Sequence, residues 1–474
     1  MNLVTGEWIP VIDHCGGCTR VGLRQLFAAA EDIRDLAVNP PQRIALMRFL
    51  ICLVQAALDG PEDQADWQTC KRSIRPKVEQ YLQSRLACFE LYGDRPFMQI
   101  STLKPTYNAV LDKLDFGLAA GNNAVLFDHA ACQQGRPHDD GWKALMLLVY
   151  LEYSPGGLIG TTEWNGRPTG KTSEHAPCVE SSAIHTLIRA DNILDSMHYN
   201  LNTRQRIAGL PNLSWGRPTW ELNLANNQDA MLLASVTTYL GRLVPLTRAI
   251  LLTRGSSVCT LANGLAYPKF PECREPTATV VGRKNGDYGY LPTSLDRHPW
   301  RELGALLTLS VDQQGGACAL GNLKSIGRDE VVDIWTGGLA ADKGKILDVA
   351  EWGFSVPVGM IANEGPIGIY RQGVEAAEAA EKRLYAAVKT YATDMSIDSA
   401  PMPKARTIFW SILDQHYGVL FETANDPGLP PEAQWLPLVQ DAAHAAFEQV
   451  CPRTTPRQIQ AFAKARSKLN PRRK

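Results

Sequence analysis

A chain of 474 residues is too long for one hydrophobic core and predicts about two to four folding units. Hydrophobic residues make up 45%, which excludes a disordered protein, and 48 Lys plus Arg stand against 49 Asp plus Glu, a formal net charge of -1. A freestanding nucleic-acid-binding protein is usually basic overall, so any such surface here is a local patch or one shared with partner subunits, and charge alone favours an ordinary cytosolic enzyme.

Met1 to Pro10 lacks the basic stretch and apolar core of a signal peptide, and the 11 scattered Cys are odd in number; both predict a cytoplasmic protein with reduced thiols. Asn2 to Val11 alternates like a strand. Arg24, Leu26 and Phe27 open a segment predicted helical to near Leu36, with Asn39-Pro40-Pro41 as its stop. Ile44, Met47, Leu50, Ile51, Val54 and Leu58 recur at helical spacing; Arg48 and Gln55 within this run argue for a buried helix and against a membrane span. Trp67 to Leu82 continues the helical pattern. Gly117 to Thr172 is rich in Gly, Asn and Pro around one apolar helix, Trp142 to Tyr153, and Leu233 to Leu243 reads as a helix stopped by Pro245. From Leu251 to about Ile334 short β-like runs follow, among them Thr277 to Val281, Leu306 to Val311 and Val331 to Trp335, with hairpin-type turns such as Lys284-Asn285-Gly286-Asp287. Ala376 to Thr393, Pro403 to Phe421, Pro431 to Val450 and Pro456 to Lys468 then read as helices with short connections, the last three opening on a Pro whose missing N–H costs little there. The fold class expected is α+β: a mixed α/β domain over residues 1–362, then an antiparallel four-helix bundle over residues 363–474.

Several motifs suggest chemistry. Asn165-Gly166-Arg167-Pro168-Thr169-Gly170-Lys171-Thr172 resembles a phosphate loop, but Asn165 stands at the first Gly position and neither a preceding strand nor a following long helix is expected. The alternatives are a cytosolic nucleotide-dependent enzyme using residues 165–172, or a solvated loop whose Lys171 and Arg167 meet a backbone phosphate. Cys15-Gly16-Gly17-Cys18 has half of a zinc-site spacing and no second pair, and His138-Asp139-Asp140 lies in a loop without the helices that would aim metal ligands. No nucleophile elbow or supported Ser/His/Asp set is present, and neither cofactor nor metal is expected. From Arg453 onward no acidic residue occurs, so Arg457, Lys464, Arg466 and Lys468 form either a solvated face or a track for a phosphate backbone. Pro155-Gly156-Gly157-Leu158-Ile159-Gly160 would let its backbone approach another surface closely.

These landmarks fall in one order. Asn2-Leu3 with Trp8-Ile9-Pro10-Val11, then Pro96-Phe97-Met98-Gln99, Gly121-Asn122-Asn123 through Phe127, the Gly loop from Pro155, Asn263-Gly264-Leu265, and Trp335-Thr336-Gly337-Gly338 resemble, over essentially the whole length, the CasA-type large subunit of type I-E CRISPR surveillance complexes (Cascade). The resemblance implies a non-catalytic reader. It would recognise the protospacer-adjacent motif in double-stranded DNA, wedge the duplex open so that guide RNA pairs with the target strand, and recruit a helicase–nuclease. Its partners would be target DNA, guide RNA and the backbone, small and handle-binding subunits, with no membrane. By the same resemblance Gly157 and Gly160 would lie against the minor groove, whose degenerate readout tolerates several motifs. Asp342 and Lys343 would make a polar contact and the wedge, with Gly337, Gly338, Gly344 and Lys345 in the same loop. Asn122, Asn123, Leu126, Phe127 and Asp128 would meet the RNA handle and backbone subunits, and Lys171 with the terminal basic residues would hold DNA. The chain departs from the family pattern at Lys343 and Asp342, where amides are expected. Ser257 stands in place of a groove lysine, with Arg254 the nearest basic substitute. A third reading is a purely structural scaffold.

Overall fold

The computed structural model describes residues 1–104, 108–118, 135–283, 286–294, 299–307, 315–327, 330–342, 345–361, 364–398, 401–426, 428, 430 and 433–470. The chain forms two compact units, one of Met1–Arg297 with Thr308–Val356, the other of His298–Leu307 with Pro357–Lys474.

The first unit opens with β1 (Ile9–Asp13), β2 (Cys18–Val21), α1 (Leu23–Ala28) and β3 (Ile33–Leu36), the strands ordered β2-β1-β3. The helix expected to reach Leu36 therefore ends at Ala28. Pairing Val11 with Leu36 completes a sheet and buries Ile33 and Leu36, a gain that outweighs a weak local helix preference. The central element is α2 (Pro40–Leu58). Asn39 and Gln42 form a reciprocal capping box, and Pro40 and Pro41 occupy positions whose N–H groups need no partner. By length and composition α2 could cross a membrane, but most of it is buried inside this unit. α3 (Gln64–Ser84) packs on it, and the short strand β4 (Asn108–Val110) precedes α4 (Asp140–Tyr153), which also packs on α2.

Small sheets follow. β5 (Gly157–Leu158) pairs with β8 (Thr172–Ser173), enclosing the hairpin of β6 (Glu163–Trp164) and β7 (Arg167–Pro168). After β9 (His185–Arg189) come the short helices α5 (Ile193–Tyr199), α6 (Arg204–Ala208), α7 (Ala230–Ala234) and α8 (Tyr239–Leu243). β10 (Arg248–Leu252) pairs antiparallel with β11 (Val258–Asn263), which also pairs with β4; β12 (Val280–Gly282) pairs with β13 (Tyr288–Tyr290).

In the second unit, α9 (Leu303–Leu307) occupies the start of the run Leu306–Val311 that the sequence pattern assigns to a strand; residues 308–311 lie outside the described residues. Back in the first unit, β14 (Val331–Asp342) runs between β15 (Lys345–Pro357) and β9.

The aromatic landmarks of the sequence are core. Phe49 of α2 has Trp8 at 5.8 Å, Phe97 at 5.6 Å and Trp220 at 5.4 Å between ring centroids. Gln99, buried, donates to the Leu91 carbonyl at 2.8 Å and accepts from the Leu252 N–H at 2.7 Å. The Pro96-Phe97-Met98-Gln99 motif thus ties the N-terminal half to β10.

Beneath these elements lies a buried ion network. Arg48 of α2 contacts Glu152 of α4 at 2.9 Å and Glu275 at 2.5 Å, and Arg242 of α8 contacts Glu275 at 3.1 Å, all four side chains 0% exposed. Arg48 also donates to the Leu243 and Arg242 carbonyls and to Thr277 Oγ1. Burial alone would weaken the hold of Arg48 on its proton; Cys178, Glu275 and Glu152 reverse this and raise its pKa. The buried His185 is opposite. Burial and the Arg48 charge lower its pKa to about 3, while Nε2 meets the Cys178 carbonyl at 3.1 Å and Nδ1 meets Thr277 Oγ1 at 2.7 Å. With Nε2–H donating, Nδ1 accepts from the threonine hydroxyl, whose oxygen also receives Arg48.

The second unit continues with α10 (Val358–Ile361), α11 (Glu364–Met395), α12 (Pro401–Asn425), α13 (Trp435–Val450) and α14 (Pro456–Arg466). Trp300 donates to Asp414 at 2.7 Å, its carbonyl accepts from Tyr370 at 2.9 Å, and its ring stacks 5.9 Å from Tyr417. Trp435 donates to the Gly373 carbonyl at 2.8 Å; a Cβ at Gly373 would lie 2.3 Å from Leu420 Cδ1, so a larger residue there would have to displace that side chain.

Two stability measurements test the network. Glu275→Gln leaves two guanidinium groups facing one carboxylate and should cost about 3–5 kcal/mol in urea unfolding; joint Arg242→Met and Glu275→Met substitution, which leaves Arg48 balanced by Glu152, should cost less. The lowered His185 pKa implies stability fully present above its ordinary value of 6.5 and lost as pH falls towards about 3. The difference in unfolding free energy between wild type and His185→Gln should therefore be constant above pH 6.5 and change by about 1.4 kcal/mol per pH unit below it.

Candidate nucleic-acid interface

The glycine loop leaves the end of α4. Gly156 approaches the returning strand so closely that a Cβ would lie 2.9 Å from the Ser173 carbonyl, and Gly157 has φ +129 with open space around it. Leu158, 86% exposed, stands at the edge; the Ile159 N–H donates to the Lys171 carbonyl at 3.0 Å, and Gly160 is half-buried. Asn165 (φ +51) and Gly166 (φ +73) form the tight turn between β6 and β7, a left-handed pair as two-residue hairpins require. Residues 165–172 are therefore a hairpin turn and its returning arm. A phosphate loop needs a helix N-terminus behind it, and the next element is β8, so the nucleotide-site alternative loses its structural basis. Arg167 and Lys171 are exposed along this arm. Trp164, buried, pins the hairpin by donating to the Leu224 carbonyl at 2.9 Å.

Beneath the loop lies a residue that sequence reading missed. Arg248, 1% exposed, donates to the carbonyls of Pro155 and Glu174 at 2.9 Å each, of Ser154 at 3.4 Å, and of Thr247 at 2.7 Å. Its one available signal was a cation inside the apolar run Leu246 to Leu252. Arg248 pairs in register with Asn263, and the Gly264 N–H donates to the Thr247 carbonyl at 3.1 Å. A Cβ on Gly264 would lie 2.5 Å from the Leu246 carbonyl, while one on Gly170 would lie 3.5 Å from Asn263 Nδ2. The glycine loop, the returning arm and Asn263-Gly264-Leu265 thus converge on Arg248. Burial lowers the Arg248 pKa to about 10. Burial, Lys269 and Arg248 together lower that of His175, whose Nδ1 accepts from the Gly156 N–H at 3.1 Å.

The structure separates other candidates from this loop. Arg254 and Ser257 lie beyond the far end of the β10–β11 pair, one five-residue strand away from Arg248, or about 15 Å. There Arg254 sits 5.1 Å from the Tyr92 ring centroid and the Ser257 carbonyl accepts from Leu111 N–H at 2.9 Å. Gly337 and Gly338, expected in the wedge loop, are buried inside β14, where Gly337 pairs with His185. A Cβ would lie 2.2 Å from the Trp335 ring at Gly337 and 2.1 Å from Thr293 Oγ1 at Gly338, so close packing explains both. Asp342 ends β14 and Lys345 opens β15; Lys343 and Gly344 lie outside the described residues. The Ala341 N–H donates to Ser182 Oγ at 3.0 Å, anchoring this hairpin to the segment that follows the glycine loop. Asn122, Asn123, Leu126, Phe127 and Asp128 also lie outside the described residues.

On α14, Lys464 contacts Asp394 at 2.9 Å, Arg457 donates to the Asp394 carbonyl at 2.9 Å, and Arg466 lies 3.7 Å from Glu448; Lys468, just past the helix, is exposed. Such exposed pairs contribute little to stability. Cys15 and Cys18 flank the exposed β1–β2 turn, and among the described residues no three metal-ligating side chains cluster. Asp139 caps α4, accepting from Trp142 N–H at 2.7 Å, and His138 meets Asp112 at 2.8 Å and stacks on Trp142, so this triplet is a helix start.

Residues 2–449 match the family model for CRISPR-associated protein Cse1. The CRISPR-associated protein CasA/Cse1 of Thermus thermophilus is 27% identical over 382 residues, 76% of this chain and 72% of that protein. In the crystal structure of Thermobifida fusca Cse1 the similarity is 20% in sequence with a TM-score of 0.80, covering 99% of this chain and 97% of that one. A chain of a CRISPR RNA-guided surveillance complex is similar with a TM-score of 0.81 at 20% identity, covering 99% of each. At these identities the structural likenesses show a shared fold, a mixed α/β one.

Proposed function

The chain belongs to the CRISPR-associated protein Cse1 family, and from that premise we propose that it is the large, non-catalytic subunit of an RNA-guided type I-E surveillance complex in the cytoplasm. In this reading it recognises the protospacer-adjacent motif in double-stranded DNA, opens the duplex for guide RNA pairing, and recruits a helicase–nuclease. The observation that carries the reading is the convergence of the glycine loop, its basic returning arm and Asn263-Gly264-Leu265 on one buried arginine. Gly157 and Gly160 present backbone without side-chain bulk, as close approach to a minor groove requires, and Lys171 and Arg167 lie beside them for phosphate. The β14–β15 hairpin acts as the wedge, with roles for Asp342, Lys343 and Lys345, while Gly337 and Gly338 hold it to the body. Asn122, Asn123, Leu126, Phe127 and Asp128 meet the RNA handle and neighbouring subunits. The four long C-terminal helices form an antiparallel bundle whose Lys464 and Arg466 exchange their surface pairs for DNA phosphate, with Arg457 and Lys468 beside them. A net charge of -1 suits a subunit that shares its nucleic acid with partners.

The test is DNA binding by the reconstituted complex, with and without this chain, on guide-matched duplexes carrying randomised neighbouring bases. The chain should confer a base preference that Gly157→Val, strained at φ +129, reduces by about tenfold or more. An unchanged preference without the chain would sink the reading. The isolated chain should show no Lys171-dependent ATP binding in equilibrium dialysis; saturable binding lost in Lys171→Ala would instead favour the nucleotide-dependent enzyme.

A further inference from the structure

Arg248 combines burial, charge and a set of acceptors that a merely buried side chain does not need. It is 1% exposed, and no carboxylate pairs with it among the described residues. Glu174, the acidic residue it touches, offers Arg248 its carbonyl and directs its carboxylate to Lys269 at 2.6 Å. A buried charge without a counter-charge is costly and persists where its hydrogen bonds do necessary work. Here those bonds span the two stems of one loop: Ser154 and Pro155 on the outgoing side, Glu174 on the returning side. A planar guanidinium reaches acceptors on both sides from a fixed fork, which a lysine ammonium does not. Two weaker ties from the returning stem support it, His175 Nδ1 accepting from the Gly156 N–H at 3.1 Å and Ser173 Oγ donating to the Gly157 carbonyl at 3.3 Å.

We propose that Arg248 is the positioning residue of the motif-reading loop, fixing the backbone of Gly156 to Gly160 against β10 and Asn263 so that the glycines meet the groove in one register. The inference rests on the reading of this loop as the DNA-facing element. Arg248 touches no DNA; it acts through the carbonyls it holds. A loop of this composition would otherwise sample many conformations and bear an ordering cost on each encounter with DNA. The charge beneath the loop, paired with no carboxylate among the described residues, also adds to the attraction that Arg167 and Lys171 exert on phosphate.

The experiment compares wild type, Arg248→Met, which keeps the volume and removes the donors, and Arg248→Lys, which keeps the charge and loses the fork. Amide hydrogen exchange is followed on the full chain, and DNA affinity on the reconstituted complex, using a closed duplex with the preferred motif and a target already opened beside it. Arg248→Met should speed exchange at 156–175 by about tenfold or more while α2 stays protected, and should weaken closed-duplex binding by a similar factor with little effect on the opened target. Arg248→Lys should recover part of both losses, and it carries the comparison if the Met variant does not fold. Unchanged exchange at 156–175 overturns the role of Arg248 itself. Faster exchange with closed-duplex preference intact overturns it by the other route, since the loop would then not be the reader. Equal weakening on closed and opened targets, with α2 also exposed, assigns Arg248 to general stability and overturns the proposal as well.

Discussion

Two guanidinium groups and two carboxylates, Arg48, Arg242, Glu152 and Glu275, meet without water contact at the centre of the first unit. Each comes from a different segment: α2, α8, α4 and the loop before β12. A buried charge is tolerated only when its partner arrives in good geometry, so this network permits one arrangement of those segments and penalises near alternatives. The surrounding apolar packing drives collapse without that selectivity. The network also sets the environment of His185, which pairs with Gly337 on β14, so the base of the long hairpin inherits its position from Arg48.

The same economy of buried polar groups recurs at smaller scale. Gln99 joins Leu91 to β10 through one amide, Trp435 joins α13 to α11 through one indole N–H, and Arg248 joins the two stems of the glycine loop. Each satisfies backbone groups that no regular ladder reaches. Where backbone must pass close to backbone or to a bulky side chain, glycine stands: Gly264 against Leu246, Gly338 against Thr293, Gly373 against Leu420. These glycines serve packing, whereas Gly157 stands in open space at positive φ.

Charge is arranged to match. Overall neutrality coexists with a returning arm that exposes Arg167 and Lys171, and with a terminal helix whose cations are held by Asp394 and Glu448. Exposed pairs of this kind are weak individually and reduce the net positive charge that the terminal helix presents.

The sequence by itself determined the elements whose signal is local. The periodicity of Ile44 to Leu58 with Asn39-Pro40-Pro41 before it specifies α2, and Pro at the first turn marks α12 and α14. It also carried the order of motifs that points to the family. Tertiary structure alone decided what those motifs do. Phe97 and Gln99 are core because Phe49 and Leu252 come to them; Thr172 enters a strand and not a helix because Gly157 and Leu158 pair with it and Ser173; Gly337 and Gly338 sit in a strand because His185 and Thr293 lie alongside. The strand Ile33–Leu36 overrode its helical pattern through pairing with β1, and residues 299–307 joined the C-terminal helices through Trp300. Arg248 showed in the sequence only as a cation in an apolar run for the same reason: its acceptors in Pro155 and Glu174 lie 93 and 74 positions away, and a side chain's hydrogen bonds to distant carbonyls leave no periodicity to read.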